Sequence, residues 1–331
     1  MGYESWHTTS SKLFVALAAA FALGCATPAD VDLRYRPSEN LLEVIAVLRQ
    51  HIPDDTYRFP PARDYSERNV YRSSLLRLEN IERVHSESLR AGHWDHVIAF
   101  AKGRALERLR AFDLAVQHYR RAAERESPLQ EQALRSAKFC EKLEAAARLG
   151  YDAEGTHSDP AAGEATSASE DTRAHGILEA SEKRASLLEA LLEEVGNTHY
   201  AAIVREEIER TDLMRARYFT ASRKFSSEGN LLAVSELQRV ATRHRDSKHK
   251  NRHLLALADL YAELASEYVD EHPPESLLFD PATFQELVDS ASRLYEAVAN
   301  QDGTVEKLEA ARRLEAFLAF TLRVDRDRFS P

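Results

Sequence analysis

Histidines with acidic neighbours are the first candidates for chemistry in this chain. Glu82 and His85 have the Glu-x-x-His spacing of half a di-iron carboxylate site, and His93 and His96 are close enough in sequence to share a metal ion. A di-iron site needs a second Glu-x-x-His and two further glutamates on facing helices, and no second helical copy is present. The two later histidines have no evident third ligand. We therefore predict no metal at either position.

A basic segment with three histidines covers residues 243–253, RHRDSKHKNRH. His249 and His253 lie four residues apart on an expected helix, but the surrounding arginines and lysines disfavour a divalent cation electrostatically. Two interpretations stay open. The segment is either a basic patch for an anionic lipid or acidic partner, or an exposed turn between helices whose charges are solvated.

The sequence contains no recognisable catalytic motif. Cys140, in SAKFCEKLEAA, lies between apolar and charged helix positions without a nearby histidine or glycine-rich turn, which predicts a buried structural thiol. The common signatures of phosphate binding, acyl transfer and zinc peptidases are absent. We therefore predict a non-catalytic protein that uses no cofactor and no metal.

Composition indicates the fold class of the chain. Its 331 residues include only 11 Gly and 11 Pro, while Ala, Leu, Glu and Arg recur throughout, which predicts an all-α protein. The formal net charge of -10 is spread over helices of mixed sign, so nucleic acid is not an expected partner. The two cysteines cannot form a disulfide framework.

The N-terminal segment has the pattern of a targeting signal. Residues 13–23, LFVALAAAFAL, are too short to span a bilayer but suit the apolar region of a signal peptide, and small residues precede Cys25. This resembles the lipobox of bacterial lipoproteins. The resemblance implies a signal peptide over 1–24, lipidation of Cys25 and a tether over 25–37. Because Ala26 follows the cysteine, it also implies the outer membrane, facing the periplasm.

Two alternatives remain for this N-terminal segment. One is an ordinary signal peptide cleaved near Ala26, and the other is an uncleaved hydrophobic start. The sequence departs from the lipobox pattern at Ala22, a position where Leu is commoner.

Beyond the tether, the chain divides at a stretch without large apolar residues. Residues 151–173 are rich in Ala, Ser, Thr, Gly and acidic residues and predict a flexible linker. This divides the protein into an N-terminal helical domain, 38–150, and a C-terminal helical domain, 174–331.

Two parts of the chain resemble tetratricopeptide repeats, which are helical hairpins of about 34 residues. Small, aromatic and large residues recur at the family's spacing in 94–128 and again in 215–300; in the first unit they are Gly103, Leu106, Ala115, Tyr119 and Ala122. The resemblance implies antiparallel hairpins stacked as a solenoid, with an insertion at 270–282 and a last helix, about 305–324, that caps the stack. A generic helical bundle or another solenoid remains the alternative.

This resemblance implies a scaffold for protein–protein interaction in the envelope, in outer-membrane protein assembly, envelope integrity or secretion. A peptide or helix of an envelope protein would lie in a concave groove. Five residues are predicted to line it: Arg215, Arg217, Tyr218, Arg252 and His253. The alternative is a ligand- or peptidoglycan-binding protein that uses the aromatic connection with Tyr57, Phe59 and Tyr65. An enzyme of unrecognised type is the third class.

Overall fold

The fold is all-helical, as the composition predicts. The structure, a computed structural model, describes residues 41–42, 70–91, 94–149 and 167–328, and within these ranges it contains helices and no strands. The predicted signal peptide, the tether with Cys25, the aromatic connection and His93 lie outside the described residues.

The described residues from 70 onwards form ten α-helices and one short 3₁₀ helix. They are α1 (Val70–Ala91), α2 (Asp95–Arg108), α3 (Phe112–Ala123), α4 (Gln130–Arg148), α5 (Ser167–Val195), α6 (Tyr200–Ser222), the 3₁₀ helix Arg223–Phe225, α7 (Gly229–Arg243), α8 (Lys250–Glu271), α9 (Pro281–Ala299) and α10 (Glu306–Arg328). Each α-helix packs against the next one in sequence, and α8 also contacts α10.

Apolar residues at helical spacing explain why these segments fold as they do. In α3 the residues Phe112, Ala115, Tyr119 and Ala122 recur every three or four positions, and all of them are buried on one face. Asp280 caps α9, because its carboxylate accepts hydrogen bonds from the backbone N–H groups of Ala282 and Thr283 at 3.1 and 3.3 Å. Pro281 then occupies the first helical position, where a missing N–H is harmless.

Gly103 allows α2 and α3 to approach closely. A Cβ atom at this position would lie 2.8 Å from the Cδ1 and Cε1 atoms of the Tyr119 ring, which is fully buried. The ring therefore occupies the space that a side chain at residue 103 would need.

The dipeptide Gly229-Asn230 is a turn signal in the sequence and predicts the α6–α7 turn at these two residues, but the structure places the turn before them. Both residues already belong to the first turn of α7, and the chain reverses just before them, after the 3₁₀ helix. A Cβ atom on Gly229 would lie 1.9 Å from the carbonyl oxygen of Arg223, so this position accepts only glycine. Glycine is needed at this position because the backbone of Arg223 approaches it closely, and not because residue 229 lies at the centre of the turn.

The two predicted halves share one hydrophobic core. Leu106, Cys140 and Leu143 from the first half pack in the same cluster as Leu188 and Val204 from the second. Helix α5 begins at Ser167, inside the predicted 151–173 linker. Extending a helix that is already anchored by apolar residues costs little, and the Ala, Glu and Arg in this stretch are compatible with helix.

Candidate functional site

A groove of about 500 Å³ lies between α6 and α8. Its lining combines cationic and apolar side chains with few acidic ones. The lining residues are Arg110, Arg184, Arg210, Arg217 and Arg252; His249 and His253; Glu206 and Glu209; and Leu213, Thr220, Ala221, Leu237 and Ala256. Five arginines therefore face two glutamates.

Helical periodicity places most of these residues on one face of each helix. On α6 the lining residues Arg210, Leu213, Arg217 and Thr220 follow one another at spacings of three and four. On α8 and at its N-terminus the same spacing joins His249, Arg252, His253 and Ala256. The two faces meet across the groove.

Three arginines of the groove lining gather around the carboxylate of the buried Glu207. Arg110 binds both carboxylate oxygens, at 2.6 and 3.0 Å, and the Nη2 atom of Arg184 lies 3.0 Å from Oε2. Arg210 lies 3.6 Å from Oε1. Arg110 has a φ of +64°, in the left-handed region that non-glycine residues seldom adopt, and its bidentate ion pair helps to hold it there.

Arg217 and Arg252 present their guanidinium groups to solvent at the groove. Arg217 is exposed, and no described carboxylate lies within ion-pair distance of it. Arg252 is 45 % exposed and contacts Glu306 through its Nε atom at 3.2 Å, which leaves the terminal nitrogens available. These two arginines are the cations that an incoming anion meets first.

A cluster of hydrogen bonds fixes the α8 side of the groove. The Glu209 carboxylate contacts Nε2 of the buried His253 at 2.6 Å and accepts a hydrogen bond from the Ser247 hydroxyl at 2.6 Å. Burial would raise the pKa of Glu209, but these two partners bring it below its ordinary value. Burial, helped by nearby lysine and arginine, lowers the pKa of His249 to about 4. His249 is therefore neutral at pH 7.

This arrangement is suited to binding an anionic group. The Ser247 hydroxyl donates its hydrogen bond to the Glu209 carboxylate, which helps to fix both side chains. Guanidinium groups beside apolar side chains complement a ligand that carries carboxylates beside apolar side chains.

The structure brings three of the five predicted groove residues together. Arg217, Arg252 and His253 all line the groove. Arg215 contacts Glu182 and Glu236 at 3.6 and 3.2 Å, so it links α6 to its neighbours α5 and α7. Tyr218 is half-buried and packs edge-on against the Phe219 ring, with 5.5 Å between the ring centroids.

Sequence reasoning missed Arg110, Arg184, Arg210 and His249 as groove residues. Arg210 could have been found, because it lies seven residues before Arg217 on the same helical face. Arg110 and Arg184 gave no local signal, since they reach the groove through contacts with Glu207 that are 97 and 23 residues apart in sequence.

The other residues that the sequence offers as candidates for chemistry include Glu82, His85 and Cys140, and none of these three lines the groove. Glu82 forms ion pairs with Lys102 and Arg121, and His85 lies at a non-helical position inside α1. Cys140 is buried, and burial together with Glu107 raises the pKa of its thiol. Among the described residues, no group of three or more His, Cys, Asp or Glu side chains is arranged to hold a metal ion.

Two further observations concern the protein as a whole. None of the helices within the described residues has the length and apolar character needed to cross a membrane. Comparison of the sequence with models of known families gives no match, and comparison with curated proteins gives none either.

Proposed function

We propose that this protein is a non-catalytic helical-repeat scaffold that binds an acidic peptide segment of another protein in the groove between α6 and α8. The observation that carries this proposal is the lining of the groove, in which Arg217 and Arg252 present guanidinium groups to solvent beside the apolar residues Leu213, Leu237 and Ala256. A bidentate guanidinium–carboxylate contact is specific in geometry, and apolar contacts add affinity.

The proposed scaffold has the architecture of tetratricopeptide-like hairpins, in two halves joined by a linker. Its support is local. The Tyr119 ring packs against Gly103, which are both predicted repeat residues, and successive helices pack as neighbours. Helix α8 contacts both α9 and α10, as stacking of hairpins requires.

Peptide binding by the full-length chain tests this proposal. A short peptide that alternates Glu or Asp with Leu is compared, by fluorescence anisotropy, with the matching peptide that carries Gln and Asn instead. We expect the acidic peptide to bind at least about tenfold more tightly, which is about 1.4 kcal/mol, and salt to weaken it.

Charge reversal locates the binding in the groove. Arg217→Glu is expected to remove most of the preference for the acidic peptide, because it replaces the exposed cation by a like charge. Arg135→Glu is the control, since Arg135 is 68 % exposed on α4, outside the groove lining. Equal binding of the two peptides, or equal loss in both variants, would reject the groove as an acidic-peptide site.

We further propose that the scaffold belongs to the bacterial envelope as a lipoprotein anchored through Cys25, most simply in the outer membrane facing the periplasm. The support is the lipobox-like sequence before Cys25. Cys25→Ser tests this: we expect loss of acyl labelling and of membrane association in the host. Unchanged processing and membrane association in that variant would exclude the lipid anchor.

A further inference from the structure

Helix α10 has one buried face and one apolar face that is exposed. Ala310, Phe317 and Val324 recur every seven residues and pack into the core with α8 and α9. On the other side, Leu308 and Leu322 are 75 % and 69 % exposed, and Val305 and Leu318 are exposed as well. A helix that only caps a stack is expected to have a polar outer face, so this apolar face requires another explanation.

The exposed face repeats with the spacing of a helix–helix contact. Leu308, Glu315 and Leu322 are seven residues apart, so they form one stripe, with exposed alanines beside it. Small residues at the middle of such a stripe allow two helices to approach closely. The surface therefore fits a second helix.

The charges at the centre of the stripe indicate which helix fits. Arg312 is 82 % exposed, with only a 3.6 Å contact to Glu309, and no described cation lies within ion-pair distance of the exposed Glu315. Parallel, in-register pairing of two copies would place Glu315 opposite Glu315. Antiparallel pairing about an axis between residues 313 and 314 instead places Arg312 opposite Glu315 of the second copy, twice.

The same antiparallel register also pairs other side chains of the stripe. Val305 then faces Leu322 of the second copy, and Ala311 faces Ala316. We propose that the exposed face of α10, with Val305 immediately before the helix, is a homodimer contact in which two copies pair antiparallel. None of the residues from 305 to 322 lines the groove, so the inference does not depend on the proposed function.

The contact is small, which sets the expected strength. The stripe from residue 305 to residue 322 is about 27 Å long at 1.5 Å per residue, which is short for an interface. Interfaces at the low end of the range for specific contacts are commonly weak. We therefore expect a dimer that forms reversibly as concentration rises through the micromolar range.

Sedimentation velocity of the full-length chain over a hundredfold range of concentration around about 10 µM tests the proposal. The wild type is expected to change from monomer to dimer. Leu308→Lys should abolish the dimer, whereas Leu278→Lys should not, because Leu278 is equally exposed (74 %) but lies in the α8–α9 connection. Circular dichroism confirms that the variants are folded.

A charge swap tests the register. Arg312→Glu and Glu315→Arg are each expected to weaken dimerisation at least about tenfold, and the double variant is expected to restore it because the pairs re-form with reversed sign. A monomer at every concentration would overturn the proposal, including the case in which another segment of the chain covers α10. A dimer insensitive to Leu308→Lys, or a double variant as weak as the single ones, would also overturn it.

Discussion

At the scale of single residues, the buried carboxylate of Glu107 shows what spacing alone does not reveal. The Tyr119 hydroxyl donates to its Oε2 atom at 2.8 Å, and the Cys140 thiol approaches the same oxygen at 3.7 Å. Burial raises the pKa of Glu107 against the opposing effect of Arg104. Sequence could assign Tyr119 and Cys140 to the core from their neighbours, but not pair them with a glutamate on another helix.

Removal of the Tyr119 hydroxyl should therefore destabilise the fold. We expect Tyr119→Phe to lower the free energy of unfolding by about 1–3 kcal/mol, because a buried acceptor loses its donor. The control is Tyr261→Phe, which removes an exposed hydrogen bond from Gln238 and should have little effect. Urea denaturation measures both. Equal effects would contradict the importance of the buried bond.

Glu267 makes a second residue-scale prediction, for pH dependence. Hydrogen bonds from Arg223 lower its pKa from 4.5 to about 2. A carboxyl group whose pKa is lower in the folded state stabilises the protein above its unfolded pKa and loses this contribution as pH falls through the folded value. We expect the stability difference between the wild type and Glu267→Gln to shrink from about pH 4.5 to about pH 2.

Glu296→Gln, on the exposed side of α9, is the control for removing one carboxylate from another helix. If the Glu267→Gln difference stays constant, or grows on acidification, the Arg223 contact does not lower the pKa of Glu267.

At the scale of elements, helices were predictable and some of their connections were not. Apolar spacing located α3, α8 and α9 because burial of one face selects a helical period. The α6–α7 turn was misplaced by a few residues, since Gly229 looks the same in sequence whether it forms a turn or admits a nearby carbonyl group. The spacing between Gly103 and Tyr119 predicts that the two residues lie in paired helices. In the structure the Tyr119 ring packs against Gly103.

Two glycines in helices should respond oppositely to alanine. Gly103→Ala is expected to destabilise by about 1 kcal/mol, because overpacking against the Tyr119 ring outweighs the gain in helix propensity. Gly176→Ala should stabilise by about 0.5–1 kcal/mol, because a Cβ atom at this position in α5 meets nothing within 4 Å. Thermal unfolding distinguishes them; changes of the same sign would contradict the close packing of α2 on α3.

At the scale of the whole molecule, composition predicts a division into two halves, whereas the structure packs residues of both predicted halves into one hydrophobic cluster, which composition does not predict. The core that joins Cys140 to Val204, and the ion pair of Arg110 with Glu207, connect residues far apart in sequence. Such contacts depend on how helices stack, which local patterns do not specify. The groove, which contains three of the five residues predicted to line it, depends on the same stacking.

Glu207 should therefore matter to the stability of the whole protein. Glu207→Ala is expected to lower the free energy of unfolding by about 3 kcal/mol, because Arg184 then remains buried without this carboxylate. Glu141→Ala removes an exposed pair with Arg120 and should cost less than about 1 kcal/mol. Urea denaturation compares them. A small, equal effect would show that Glu207 does not hold the two halves together.

The proposed scaffold function is tested most directly by site-specific photo-crosslinking in the native host. A photoreactive residue replaces Ala221, which is exposed in the groove lining, and, as the control, Arg135 on α4. We predict that position 221 captures a defined protein through an acidic segment, that position 135 does not, and that Arg217→Glu abolishes capture. Capture of no protein at position 221, or of the same proteins at both positions, would contradict a scaffold that binds acidic segments in this groove.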